Sequence, residues 1–276
     1  MAQITPGGRG KKRVYFVSDH TGVTAEVVGQ SLLSRFDHVD LETHTKPFVS
    51  DLARATEVVA EFGRLPEPPI VFSTITEPRV RKLVADAAAV HFDLFEPYTA
   101  RLEEALGQPP ETVVGAAHSI RDLARYQARI DAVEFSLTTD DGSNVKRYDN
   151  ADVVLIGVSR VGKSPTSLYL AMTYGVRAAN FPLVDEDLET DALPSALADH
   201  RGRLFGLTIN PARLHELRTK RSPGTGYASI ERCEHEVNRA ERLYRRHNLP
   251  FLETTNVSVE ELASQVLQRA NLERHR

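Results

Sequence analysis

At 276 residues, with 41% hydrophobic and 26% charged side chains, the chain is long enough for one large domain or two ordinary ones and has the composition of a soluble protein. A net charge of −4 argues against nucleic acid as the main partner, and the single cysteine, Cys233, excludes an internal disulfide framework and fits a reducing cytoplasm. No apolar run approaches the roughly 20 residues of a membrane span, so no membrane partner is expected. The first twelve residues lack the apolar centre of a signal peptide and read as a flexible tail.

From Arg13 the chain alternates apolar strands with helical patterns. Val14–Val17 reads as a buried strand, followed by the loop Ser18-Asp19-His20-Thr21-Gly22. A helix is expected from about Thr24, with Val27, Val28, Ser31, Leu32 and Phe36 near helical spacing. Residues 41–48, 70–73 and 91–95 are strand candidates, and 52–62, 78–90, 99–106 and 119–135 helical stretches. Such spacing predicts a parallel sheet covered on both faces. The segment 138–144, Thr-Thr-Asp-Asp-Gly-Ser-Asn, is rich in turn formers and is expected to join an N-terminal α/β domain, 13–145, to a second α/β domain, 146–276. A single sheet shared by both halves is the alternative.

The second half opens with the strand 152–156, which runs into Gly157-Val158-Ser159-Arg160-Val161-Gly162-Lys163-Ser164. This is the phosphate-binding pattern G-x-x-x-x-G-K-[ST], between a buried strand and a helix as its chemistry requires. Two glycines let backbone N–H groups turn inward on phosphate oxygens. Lys163 is placed for the terminal phosphates and Ser164 for Mg²⁺. Pro165 suits the first helical turn, where its missing N–H costs nothing, and Leu168, Ala171, Met172 and Gly175 share a helical face. Strands at 178–184, 204–209 and 250–254, and helices at about 229–248 and 259–272, complete a nucleotide-kinase-like order.

Other groups around the loop are more ambiguous. Arg160 is either a phosphate donor or a solvated loop arginine. Arg213, Arg218, Lys220 and Arg221 precede Ser222-Pro223-Gly224-Thr225-Gly226 and suggest a lid closing on transferred phosphate, with Tyr227 and Ser229 beyond it; a solvated basic face is the alternative. Asp185, Glu186 and Asp187 offer a carboxylate for a metal but read more simply as a charged loop. Asp19 and His20 sit at a strand end before a helix, as an anion site or acid–base pair would, although from these residues alone a capped helix with an incidental histidine explains them better. His118-Ser119 is ambiguous in the same way. Cys233 and His235, two apart on a helix, do not face each other as metal ligands would.

Several of these segments together resemble the bacterial pyruvate, phosphate dikinase and phosphoenolpyruvate synthase regulatory proteins. The resemblance rests on Gly157–Tyr169 with its Ser159-Arg160 and Pro165, on Ser18–Gly22, Arg177–Leu183, Leu204–Ile209 and Tyr227–Ser229, and on Leu249-Pro250-Phe251. It spans nearly the whole chain after the tail and is closest to the branch acting on phosphoenolpyruvate synthase. It implies a cytoplasmic bifunctional enzyme that transfers a phosphoryl group from ADP, with Mg²⁺, to a threonine of the synthase. The same enzyme would remove it with inorganic phosphate, releasing pyrophosphate. On that reading Lys163 and Arg160 act on the transferred group, Ser164 holds Mg²⁺, and Asp19 and His20 are candidates for general acid–base work. A homo-oligomer is compatible with it. This chain has Val161 where the family carries a small hydroxyl residue, and Ser164 in place of a frequent threonine. The residues alone also allow an ATP-dependent small-molecule kinase or a non-catalytic nucleotide sensor.

Overall fold

Each half of the chain builds its own four-stranded, all-parallel sheet. The computed structural model describes residues 11–36, 38–110 and 123–272, and the chain separates into two compact units, Met1–Ser119 and Ile120–Arg276. The expected α/β class holds in both. A single sheet shared by the halves does not, because the two sheets share no strand.

In the first unit the order is β1 (Lys12–Ser18), α1 (Val23–Leu33), β2 (Leu41–Lys46), α2 (Leu52–Phe62), β3 (Ile70–Thr74), α3 (Pro78–Asp86), β4 (Val90–Asp93) and α4 (Glu96–Leu106). The strands lie β2-β1-β3-β4. Apolar side chains alternate across β1. Tyr15 and Val17 join Val58 and Phe62 of α2 and Val80 and Val84 of α3, while Val14 and Phe16 pack with Ala25 of α1 and Phe72. Parallel register brings Phe16, Phe72 and Phe92 abreast, with ring centroids 5.9 and 4.8 Å apart.

Helix α1 departs from the expected burial. Val27, Val28, Leu32 and Phe36 are exposed, and the helix meets the sheet through Ala25 and Gly29. A β-carbon on Gly29 would lie 2.4 Å from the Phe16 ring, so the close approach of helix to sheet, rather than helical spacing of large residues, selects the buried face.

The second unit contains α5 (Leu123–Thr138), β5 (Val153–Gly157), α6 (Lys163–Tyr174), β6 (Ala178–Pro182), α7 (Asp185–Leu188), β7 (Leu204–Thr208), α8 (Pro211–Arg221), α9 (Ile230–Arg246), β8 (Phe251–Glu253) and α10 (Val259–Arg269). Its sheet is ordered β6-β5-β7-β8. The segment 138–144 is not a junction: it lies inside this unit, because α5 packs on α6 and the 3-10 turn Asp140–Gly142 packs on β6. Of the expected tail only Lys11 and Lys12 are described, and β1 already starts at Lys12. His118 and Ser119 lie outside the described residues.

Helix α8 has no counterpart in the sequence reading, though its signal is present. Asn210 caps it, accepting from the Ala212 and Arg213 amides, and Pro211 follows in the first turn. On α6 the buried residues are Lys163, Thr166, Ser167, Leu170, Ala171 and Tyr174; Met172, expected on the inner face, is exposed. Among the described residues no helix is long and apolar enough to cross a membrane.

Both sheets place the first strand of the unit between the second and the third. The chain therefore leaves that strand in opposite directions, opening a crevice at its carboxyl end, where doubly wound sheets bind ligands. In the first unit the loop there is Ser18–Gly22. In the second it is Gly157–Ser164.

Candidate phosphate-binding site

The loop Gly157–Ser164 is shaped by what surrounds it. A β-carbon at Gly157 would stand 2.6 Å from the Leu207 carbonyl oxygen, so only glycine lets β5 end against β7 here. The buried Tyr244 hydroxyl fixes the same point, lying 3.1 Å from the carbonyl oxygens of both Ile156 and Leu207. At the other end Gly162 has φ 91° and stands at the N-cap of α6, where no side chain supplies a cap. The first-turn N–H groups are left for a ligand, at the positive end of the helix dipole. Arg160, between them, holds φ 78°, a left-handed backbone that costs a non-glycine residue about 1–2 kcal/mol.

Ser159, Arg160, Gly162, Lys163 and Ser164 line a cleft of about 630 Å³, joined by Lys220 and Arg221 from α8 and by Asp141. Val158 and Val161 turn the other way: each is 1% exposed and belongs to the hydrophobic core. At those two positions the cradle has only backbone to offer. Thr166 and Ser167 donate their hydroxyls to the carbonyls of Gly162 and Lys163 within the helix.

Lys163 is 5% exposed, and its Nζ donates to the Val158 carbonyl at 3.1 Å. Burial pushes its ammonium down to about 8; Asp141 and Asp140 partly counter this, while Arg218 and Arg160 add to it. Without a ligand the ammonium is therefore held in a poorly solvated position, which an incoming anion would relieve.

The basic residues of the expected lid have separate roles. Arg213 pairs with Glu216 at the surface, 2.7 Å away. Arg218 is fully buried; its guanidinium binds Glu236 at 2.6 Å and the carbonyls of Tyr227 and Ser159 at 3.1 and 3.3 Å, and stacks 4.2 Å from the Tyr227 ring centroid. It ties the phosphate loop to the 222–229 segment and is not free to grip phosphate. Lys220 and Arg221 do face the cleft. Ser229 caps α9, accepting from the Arg232 amide.

Two of the acidic triplet 185–187 are engaged elsewhere: Asp185 pairs with Arg232, and Asp187 accepts from the Val184 amide at 3.1 Å. The carboxylate that does line the cleft, Asp141, comes from the segment read as a linker. Nothing in its spacing from the loop points to it. The turn carrying it is set by Asn180 of β6, whose side chain accepts from the Asp141 amide and donates to Asp140.

Asp19 and His20 belong to the first unit. Asp19 is buried, and its Oδ2 accepts from both the amide and the hydroxyl of Thr76, at 2.7 and 2.6 Å, fastening the end of β1 to the chain beyond β3. The His20 amide donates to Ser18 Oγ, its carbonyl accepts from the Phe48 amide, and its ring lies edge-on to Phe48 at 5.9 Å. Cys233 is buried on α9, and burial raises its thiol above the ordinary value. No group of three or more His, Cys, Asp or Glu side chains is arranged to hold a metal among the described residues.

Residues 14–267 match the kinase/pyrophosphorylase family. A Bordetella parapertussis protein named "Putative phosphoenolpyruvate synthase regulatory protein" is 48% identical over 268 residues, which is 96% of this chain and 98% of that protein. One of the same name from Acinetobacter baumannii is 42% identical over 268 residues, 96% of each chain.

Proposed function

This chain belongs to the kinase/pyrophosphorylase family, and we propose that it regulates phosphoenolpyruvate synthase by phosphorylating one of its threonines with ADP and removing that phosphate by phosphorolysis. The relatives named above are called regulators of that synthase, which supports the choice of partner. The observation that carries the phosphoryl chemistry is the uncapped N-terminus of α6, with Lys163 buried beside it in a cleft lined by Arg160, Lys220 and Arg221.

Phosphoryl transfer is catalysed mainly by positioning and by stabilising charge on the non-bridging oxygens. The backbone of Gly157–Ser164 would hold the phosphates of the donor. Lys163 would leave the Val158 carbonyl for the transferred group. Arg160, Lys220 and Arg221, which line the same cleft, would offset charge as the group passes to the acceptor. Ser164, half-buried in the first turn and lining the cleft, would hold Mg²⁺ through its hydroxyl. Mg²⁺ held there would supply charge neutralisation for the donor phosphates. In the same reading Asp19 and His20 are candidates for the dephosphorylation reaction, tested by asking whether His20→Ala slows it selectively.

The direct test incubates the purified protein and phosphoenolpyruvate synthase with Mg²⁺ and either ADP or ATP, and maps phosphothreonine by mass spectrometry. ADP-dependent modification, reversed by inorganic phosphate with release of pyrophosphate, is the expected result. No threonine modification with either donor overturns the proposal.

A further inference from the structure

The cleft around the phosphate loop is lined by cations, with one exception. Arg160, Lys163, Lys220 and Arg221 carry positive charge, and Asp141 is the acidic residue among them. It is exposed, and its carboxylate accepts no hydrogen bond among the described residues. Apart from its charge, which partly offsets the burial of the Lys163 ammonium, the carboxylate has no bonded role in the fold, yet the fold positions it with care. Asn180, fully buried on β6, accepts from the Asp141 amide at 2.9 Å through Oδ1 and donates through Nδ2 to the Asp140 carboxylate. The Asn180 carbonyl is in turn bound by the Tyr148 hydroxyl at 2.9 Å, and Tyr148 is fully buried. Asp141 itself sits at φ 48°, ψ 44°, a left-handed conformation.

A loop carboxylate held by a buried clamp, open on its own side and facing a phosphate-binding loop, has the placement of a proton acceptor for an incoming hydroxyl. We propose that Asp141 is the general base for the acceptor threonine, and the acid that restores its proton in the opposite reaction. This rests on the protein-kinase reading given above, supplies the proton acceptor that it lacks in the forward direction, and takes the place of Asp19 and His20 as the proton donor in the reverse.

In the forward direction a bond forms between the threonine Oγ and the β-phosphorus of ADP, the bond from that phosphorus to the α–β bridging oxygen breaks, AMP leaves, and the hydroxyl proton passes to the Asp141 carboxylate. In the phosphorolytic direction an oxygen of inorganic phosphate attacks the phosphothreonine phosphorus, the bond from phosphorus to Oγ breaks, pyrophosphate leaves, and the protonated Asp141 returns its proton to Oγ. One carboxylate serves both because each reaction makes or breaks the same O–H bond. The surrounding cations act on the phosphoryl oxygens and leave the proton to Asp141.

Asp141→Asn tests this cleanly, since asparagine is isosteric and among the non-glycine residues that best tolerate left-handed backbone. Two readouts are needed: calorimetric affinity for ADP in the presence of Mg²⁺, and the rates of threonine phosphorylation and of phosphorolysis. The expected result is a loss of about 100-fold or more in both rates with ADP affinity within about threefold of the parent. Rates within about threefold of the parent overturn the proposal. A joint collapse of ADP affinity and activity also overturns it, and assigns Asp141 to nucleotide or metal binding instead. Asp141→Ser, read by the same assays, guards against a folding defect in the asparagine variant. A parent protein that binds ADP but modifies no threonine fails the kinase reading itself, which separates that failure from one confined to Asp141.

Discussion

Arg218 and Glu236 form an ion pair of 2.6 Å with both side chains out of solvent, and this pair is the junction between the loop Gly157–Ser164 and the segment that follows α8. Glu236 also takes Arg232 Nε at 2.8 Å, whereas the Arg218 Nε is buried with no hydrogen-bond partner among the described residues. Removing Arg218 leaves the buried Glu236 carboxylate with only the exposed Arg232 to offset its charge, and the penalty for a buried charge stripped of its main partner exceeds the net worth of the intact pair. Arg218→Ala should destabilise the protein by about 3–5 kcal/mol, read by urea denaturation. Arg218→Met with Glu236→Leu should recover most of that stability but not ADP affinity, because the tie to the Ser159 carbonyl is gone. Full recovery of both would show that Arg218 has no part in shaping the loop.

Burial raises the proton affinity of Glu236, but the hydrogen bonds from Arg218 and Arg232 outweigh it and hold the carboxyl below its ordinary 4.5. A carboxyl depressed by folding contributes stability that is present above its unfolded value and is lost as pH falls through the folded one. Acid unfolding should therefore steepen below about pH 4.5. Glu236→Gln, less stable at neutral pH, should show a shallower loss over that range. Parallel curves for the two proteins would refute this.

Lys163 titrates in the opposite sense. Its ammonium, lowered to about 8 by burial, is ionised below that value and neutral above it. Without ligand, holding it charged costs stability below pH 8, and the cost disappears as pH rises from about 8 towards its ordinary 10.5. ADP affinity should move the other way and fall as pH rises through 8. Lys163→Met should bind ADP at least about tenfold more weakly and lose that pH dependence, measured by calorimetry in buffers matched for ionisation heat.

Val161 points into the core, not into the cleft. Val161→Thr, which restores a hydroxyl of the kind seen in the resembling family, should leave ADP affinity within about threefold and cost about 1–3 kcal/mol of stability, as expected for a hydroxyl buried without a partner. A gain of tenfold or more in affinity would mean that the side chain reaches the phosphates.

Gly157→Ala should separate β5 from β7, since the added carbon would stand 2.6 Å from a backbone oxygen. A loss of about 1–3 kcal/mol in thermal or chemical melts, with weakened nucleotide binding, is the expected outcome. Unchanged melting would show that the strand end gives way freely.

The sequence alone determined the alternation of strands and helices, and the glycine-rich loop Gly157–Ser164 with its place at a strand–helix junction. These are local properties: side-chain period, turn chemistry, and the spacing of glycine, lysine and hydroxyl along a few consecutive residues. Tertiary structure decided the rest. Helix α1 turns Val27 and Leu32 outward because Gly29 meets Phe16, a contact between residues thirteen apart that helical spacing does not encode. Arg218 reads as one of four similar basic residues, and only packing against Glu236, Tyr227 and Ser159 withdraws it from the cleft while leaving Lys220 and Arg221 there. Asp141 reads as part of a turn between domains. Its place beside Lys163 depends on Asn180, which lies thirty-nine residues further along, on the strand next to β5. Which polar groups share a cleft is settled by such long-range contacts, and no pattern within a short stretch of chain carries that information.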